Sequence, residues 1–81
     1  MGRNHSSNLI DYMNDKLRGK RVVVVGVGYS ARGILRDADM HMNVHLADAY
    51  IKEDEKEYKV GRVILRGATV KYIIIEDLVT D

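Results

Sequence analysis

The sequence predicts an all-β domain led by one short helix, with the strands closing into a small barrel. Two patterns and the chain length carry this reading. Arg21 to Gly28 is dominated by valine, and β-branched residues at that density favour an extended chain over a helix. Met40, Met42, Val44 and Leu46 alternate strictly with His41, Asn43, His45 and Ala47. A strand turns that period of two into an apolar and a polar face, whereas a helix scatters the same residues around its circumference. The 81 residues hold a single domain, and an all-β chain that short hides its sheet edges most simply by closure.

The elements follow in order. Ser6, Ser7 and Asn8 are helix-capping types. Leu9, Ile10, Met13 and Leu17 come next at a spacing that keeps them on one helical face, and Gly19 supplies the stop, which predicts a helix from about residue 8 to 17. Five strands fill the chain from about residue 20 to 76. The valine run is the first, expected to be buried on both faces, with Gly26 and Gly28 where it bulges or turns. Met40 to Ala47 is expected to send its apolar set into the core and His41, Asn43 and His45 to the opposite face. Val63 and Leu65 alternate with Arg62, Ile64 and Arg66, and after Gly67 the stretch Val70 to Ile75 is again β-branched and aromatic. The charged run Lys52 to Lys59 reads as a solvated loop or strand extension. Tyr72, Ile73, Ile74 and Ile75 make a strand apolar on both faces. Exposed, it would aggregate, so another subunit is expected to cover it.

Thirteen basic and twelve acidic residues leave a net charge of +1, and 46% of residues are hydrophobic, which excludes a disordered tail. Cysteine is absent, which removes disulfides, thiolate metal sites and Cys nucleophiles. A domain this small buries only about 60% of its unfolded surface, so a partner subunit is its expected support. No segment approaches the ~18 apolar residues of a membrane span, and Met1 to Asn8 lacks the pattern of an export signal. A soluble, cytoplasmic protein with no membrane partner is expected. Lys16, Arg18, Lys20, Arg21, Arg32 and Arg36 lie in a stretch without one acid, while acids gather in Glu53 to Glu57 and at Glu76, Asp77 and Asp81. Folded, such a chain offers a basic face to an anion such as nucleic acid.

Three motifs compete for the chemistry. Gly26-Val27-Gly28-Tyr29-Ser30-Ala31 fits the Gly-x-Gly-x-x-Ala form of the dinucleotide fingerprint, and Asp48 follows about 20 residues on. This alternative makes the chain a nucleotide-cofactor module of an oxidoreductase. Against it, Asn43 to Asp48 alternates where a parallel strand is apolar throughout, and the chain is too short for two mononucleotide halves. His41 and His45 lie about 13 Å apart on a strand, too far to share one ion, so no metal site is expected. Ser6, Ser7 and Ser30 have no base or orienting acid nearby in the sequence. No catalytic residue, no cofactor and no enzymatic activity are therefore assigned.

The third motif pairs Asp39-Met40-His41-Met42-Asn43-Val44 with Leu65-Arg66-Gly67-Ala68-Thr69-Val70. Here the chain resembles the Sm and Sm-like (Lsm) family over nearly its whole length, as a single Sm-like domain spanning residues 1–81. Its first motif looks like Gly33-x-Leu35, Asp39-x-His41-Met42-Asn43 and an apolar-x-Leu46, and its second like Val63-Ile64-x-Arg66-Gly67 followed by Val70. Ala68 and Thr69 stand where the family often has Asp or Asn. The resemblance implies a strongly bent five-stranded antiparallel barrel whose fourth strand pairs with the fifth of a neighbour, closing a ring of six or seven subunits. Val63, Leu65, Val70, Tyr72, Ile73, Ile74 and Ile75 are the residues expected at that seam. It also implies a site for uridine-rich single-stranded RNA near the pore. There His41 and Arg66 sandwich a base, Asn43 reads the uracil edge, Asp39 orients Asn43 or the turn, and Gly67 leaves the base room. The function expected is an RNA scaffold or chaperone. A ring serving only as a protein assembly platform is the other alternative.

Overall fold

Met13 and Leu17 are only 2% and 4% exposed, because the short helix lays its apolar stripe on the sheet. The computed structural model describes residues 8–76. The helix begins as α1, Asn8–Tyr12, and continues as a wider π-helical turn, Met13–Leu17, so the expected span is found with its second half less tightly wound. Ser6, Ser7 and the side chain of Leu9 lie outside the described residues. Gly19 takes the left-handed conformation at φ 86°, and its N–H donates to the Leu35 carbonyl at 2.8 Å.

Five antiparallel strands follow: β1 Arg21–Gly26, β2 Tyr29–Ala38, β3 Val44–Glu53, β4 Lys56–Leu65 and β5 Val70–Ile75, in the sheet order β4-β3-β2-β1-β5. Two residues at positive φ, Asp54 at 50° and Glu55 at 68°, join β3 to β4 as a type I′ hairpin requires. The charged run Lys52 to Lys59 is thus strand extension. A single 3₁₀ turn, Gly67–Thr69, carries the chain from β4 to β5, which crosses to pair with β1.

Val22, Val24, Leu35, Val44 and Leu46 are fully buried and form the centre of the core, with Met13 and Leu17 over them. The sheet bends sharply around this core, and Gly33 shows why. A Cβ there would lie 2.9 Å from the Ala47 carbonyl oxygen and 3.1 Å from Ala49 Cα. The β2–β3 register slips between Arg32 and Ile34, and the β3–β4 register slips between Leu46 and Ala49. Asp48 sits in that irregularity at φ 51°. Such bulges bend the strands that carry them and sharpen their twist. On the outer face Arg32 bonds Glu57 at 3.0 Å and lies 4.5 Å from the Tyr50 ring centroid, tying β2, β3 and β4 together.

Three sequence expectations need correction. The β1 valines are not buried on both faces: Val22 and Val24 are fully buried, while Val23 and Val25 are half-exposed. Only one face of the sheet is covered, and the other looks outward beside Arg32 and Ser30. Met40 to Ala47 is not one strand, since β3 begins at Val44, Met40 is 78% exposed and Met42 turns at φ 63°. The Asp39 carboxylate captures the N–H groups of His41 and Asn43, and that local turn overrides the alternating pattern. Gly26 to Ala31 is a β-hairpin with β2 where a dinucleotide site requires a helix, so the cofactor alternative fails. The five antiparallel strands and the leading helix are those expected, and β4 and β5 stand at the two ends of the sheet order. Among the described residues no helix is long and apolar enough to cross a membrane.

Candidate functional site

The turn between β2 and β3 is built by one carboxylate. Asp39 Oδ1 accepts from the N–H of His41 at 2.9 Å and of Asn43 at 3.0 Å, while Oδ2 accepts from Asn43 Nδ2 at 2.9 Å. The Asp39 carbonyl accepts from the Met42 N–H at 2.8 Å, closing the turn. Asp39 is consequently held below its ordinary value of 3.8, first by the Asn43 amide, then by the Asn43 N–H, with smaller help from the N–H and charge of His41. It stays ionised at neutral pH and keeps accepting.

Asn43 is pinned from its other end as well. Its Oδ1 accepts the Gly67 N–H at 2.7 Å, a contact bridging the β2–β3 turn and the β4–β5 turn across 24 residues. A primary amide has two donor hydrogens and two acceptor lone pairs, so Asn43 keeps one of each. Those two free positions lie on an amide whose orientation is fixed, which suits a hydrogen-bonding edge of one polarity and disfavours its inverse. The Asp39 carboxylate therefore holds one end of the Asn43 amide. At Gly67 a Cβ would collide with the His41 carbonyl, because the two turns touch through their backbones.

That contact makes His41 and Arg66 neighbours. Each side chain is exposed and, among the described residues, engages no hydrogen bond or ion pair. The second turn has its own brace, which the sequence reading missed. Thr69 Oγ1 donates to the Arg66 carbonyl at 2.7 Å, so the Tyr29 hydroxyl, 2.9 Å away, is the donor to Thr69. The Thr69 carbonyl accepts from the Val27 N–H at 2.9 Å. The first hairpin thus holds the Arg66 turn in place, and Thr69, where the family often has an acidic or amide residue, contributes to the backbone rather than to Asn43. Ala68 is exposed. A threonine before a strand carries no such signal unless the packing of Tyr29 is already known.

The seven residues expected at the seam fall into three groups. Tyr72 and Ile74 on β5 are 56% and 47% exposed, whereas Val63, Val70, Ile73 and Ile75 pack partly against the core. Leu65 is 6% exposed and belongs to the chain's own core, and its neighbour Ile64, at 64% exposure, takes the outward position on β4. Beside β5 runs an apolar cleft of about 360 Å³ lined by Tyr12, Met13, Leu17, Tyr72, Ile73 and Ile75 among others.

Comparison with known proteins agrees with this geometry. The family model described as the LSM domain matches residues 11–75. An Sm-like snRNP protein of Archaeoglobus fulgidus is 38% identical over 65 residues, covering 79% of this chain and 84% of the relative. Its counterpart in Methanococcoides burtonii is 35% identical over 65 residues, covering 79% and 90%. Among solved structures, a heptameric archaeal Sm protein superposes with a TM-score of 0.69 at 36% identity, over 78% of this chain and 94% of that one. The Sm protein of Pyrococcus abyssi in complex with a uridine heptamer superposes with a TM-score of 0.71 at 30% identity, over 89% and 99%. With the family matched across all five strands and both turns of the site, this chain belongs to the LSM domain family of Sm-like proteins.

Proposed function

We propose that the chain assembles into a seven-membered ring that binds uridine-rich single-stranded RNA, one base to each subunit, at the paired turns carrying Asp39, His41, Asn43, Arg66 and Gly67. The observation that carries this reading is the double pinning of Asn43, because a fixed amide with one donor and one acceptor free matches the N3–H and O4 of uracil. His41 and Arg66, exposed on the two touching turns, supply an imidazole and a guanidinium for stacking, worth ~1–3 kcal/mol per base. A similar protein binds a uridine heptamer, and similar proteins form heptamers.

Assembly follows from the sheet. β4 and β5 each present an unpaired backbone edge, and both carry exposed apolar side chains. Pairing β4 of one subunit with β5 of the next removes every edge at once. Tyr72 and Ile74, with Val70, Ile73, Ile75 and Val63, meet the neighbour there, and Leu65 joins through its backbone. The ring acts as a scaffold or chaperone for RNA in the cytoplasm, with no catalytic step, and gains affinity by repeating a weak site around the pore. The test is native mass followed by binding of uridine, cytidine and adenosine heptamers to the same particle. A seven-subunit ring that prefers uridine supports the reading. A monodisperse monomer at micromolar concentration, or equal affinity for all three strands, overturns it.

A further inference from the structure

Beyond Ile34, which pairs with Arg21, β2 loses β1 as a neighbour. One further step is bridged by Gly19 and Lys20, whose backbones bond both groups of Leu35. Ala38, the last residue of β2, is only 5% exposed, and its β1 side has no strand to pair with. The gap is filled by a side chain. Asn14 Oδ1 accepts the Ala38 N–H at 2.8 Å and Asn14 Nδ2 donates to the Ala38 carbonyl at 2.9 Å. An amide carries the same donor and acceptor as a peptide group, so Asn14 stands in for one residue of a missing strand. Met13 and Leu17, buried on either side of it in the chain, seat the helix that presents it.

The next residue after Ala38 is Asp39. Its N–H donates to the Asn43 carbonyl at 3.1 Å, and its carboxylate holds His41 and Asn43. An unbroken path therefore runs from the helix through Ala38 and Asp39 to the Asn43 amide and Gly67. Without Asn14, two backbone groups of a buried residue lose their partners and must move toward water, and the start of the turn moves with them.

We propose that Asn14 is a positioning residue for the base site: it fixes the end of β2 so that Asp39 holds the Asn43 amide in the orientation that prefers uracil to cytosine. The proposal rests on the RNA-binding reading above, and its test separates the two. Amide hydrogen exchange is measured by mass spectrometry on the RNA-free protein for segments 36–43 and 65–70, with uridine and cytidine heptamer binding in parallel, for the parent, Asn14→Ala and Asn14→Asp. Asn14→Ala removes both hydrogen bonds to Ala38 and is expected to speed exchange in both segments by about tenfold or more, and to lower the uridine-to-cytidine ratio with native mass unchanged. Asn14→Asp keeps the acceptor for the Ala38 N–H and gives the smaller change in both readouts, and it decides the matter if the alanine variant does not fold. Unchanged exchange in segment 65–70, or faster exchange with an unaltered ratio in a parent that does prefer uridine, overturns the proposal. If the parent ring binds neither heptamer, the RNA reading falls, and the exchange result alone tells whether Asn14 positions the two turns.

Discussion

Gly67→Ala is the sharpest test of the touching turns, because the fold itself sets the size of its effect. The ideal Cβ lies 2.8 Å from both the His41 and Met42 carbonyl carbons and closer still to the His41 oxygen. All three are backbone atoms, which cannot rotate away. To reach ordinary contact at 3.4 Å the turns must separate by about 0.6 Å, more at the carbonyl oxygen. That displacement takes the 2.7 Å bond from the Gly67 N–H to Asn43 beyond the ~3.2 Å limit of good geometry. Overpacking of this kind costs about 1–3 kcal/mol, and the lost bond adds about 1. The protomer should melt roughly 10–30 °C lower, since about 1 kcal/mol moves a domain of this size by 4–8 °C. Asn43, released at one end, should also lose its preference for uridine over cytidine. Gly19→Ala is the comparison: no atom lies within 4 Å of its Cβ, but its φ of 86° is strained for alanine, so it should lower stability without altering base preference. Thermal unfolding by circular dichroism and heptamer binding at fixed salt read the two effects separately. A Gly67→Ala protein melting within about 3 °C of the parent, with uridine preference intact, would refute the backbone-contact argument.

The remaining predictions address other parts of the same architecture. Arg66→Ala should weaken binding of every strand by about 1–3 kcal/mol per site and flatten the salt dependence, and His41→Ala should weaken every strand by a similar amount through lost stacking. Asn43→Ala should leave stacking in place and remove the uridine preference, as fluorescence anisotropy with uridine and cytidine heptamers would report; full discrimination in that variant would mean the amide does not read the base. Asp39 is held below its ordinary value in the folded turn, so its contribution to stability is complete well above pH 3.8 and is lost as pH falls through the depressed folded value. Asp39→Asn should remove that acid limb, and an unchanged acid-unfolding profile would show that the carboxylate does not hold the turn. Ile74→Lys, at a side chain 47% exposed on the β5 edge, should disrupt assembly while leaving the helix and the first four strands folded, giving a smaller species on sedimentation; an intact ring would take Ile74 out of the seam.

What the sequence made legible, and what it hid, divides along a physical line. Patterns that report burial came through wherever one residue's own environment decided the matter: the Met13–Leu17 stripe, the β-branched strands, the open apolar edge at Tyr72 to Ile75. The alternating run Met40 to Ala47 failed because a single carboxylate, Asp39, made more hydrogen bonds by bending the chain than a strand could offer at that point. Val44 and Leu46 kept the inward positions the period assigned to them, Met42 packs only partly against the core, and Met40 is exposed. The site was legible to the extent that its residues are adjacent in the chain. The pinning of Asn43 needs Gly67 from the end of the neighbouring strand β4, the brace on Arg66 needs Tyr29, and the end of β2 needs Asn14. Each of these joins residues 24 to 40 positions apart through an ordinary-looking Asn, Thr or Tyr. A one-dimensional pattern has no term for such pairs. They appear only once the strands are paired: Val44 opposite Leu65 sets Asn43 beside Gly67, and Gly26 opposite Val70 sets Tyr29 near Thr69, which places the origin of the site in the strand register as much as in the residues that line it.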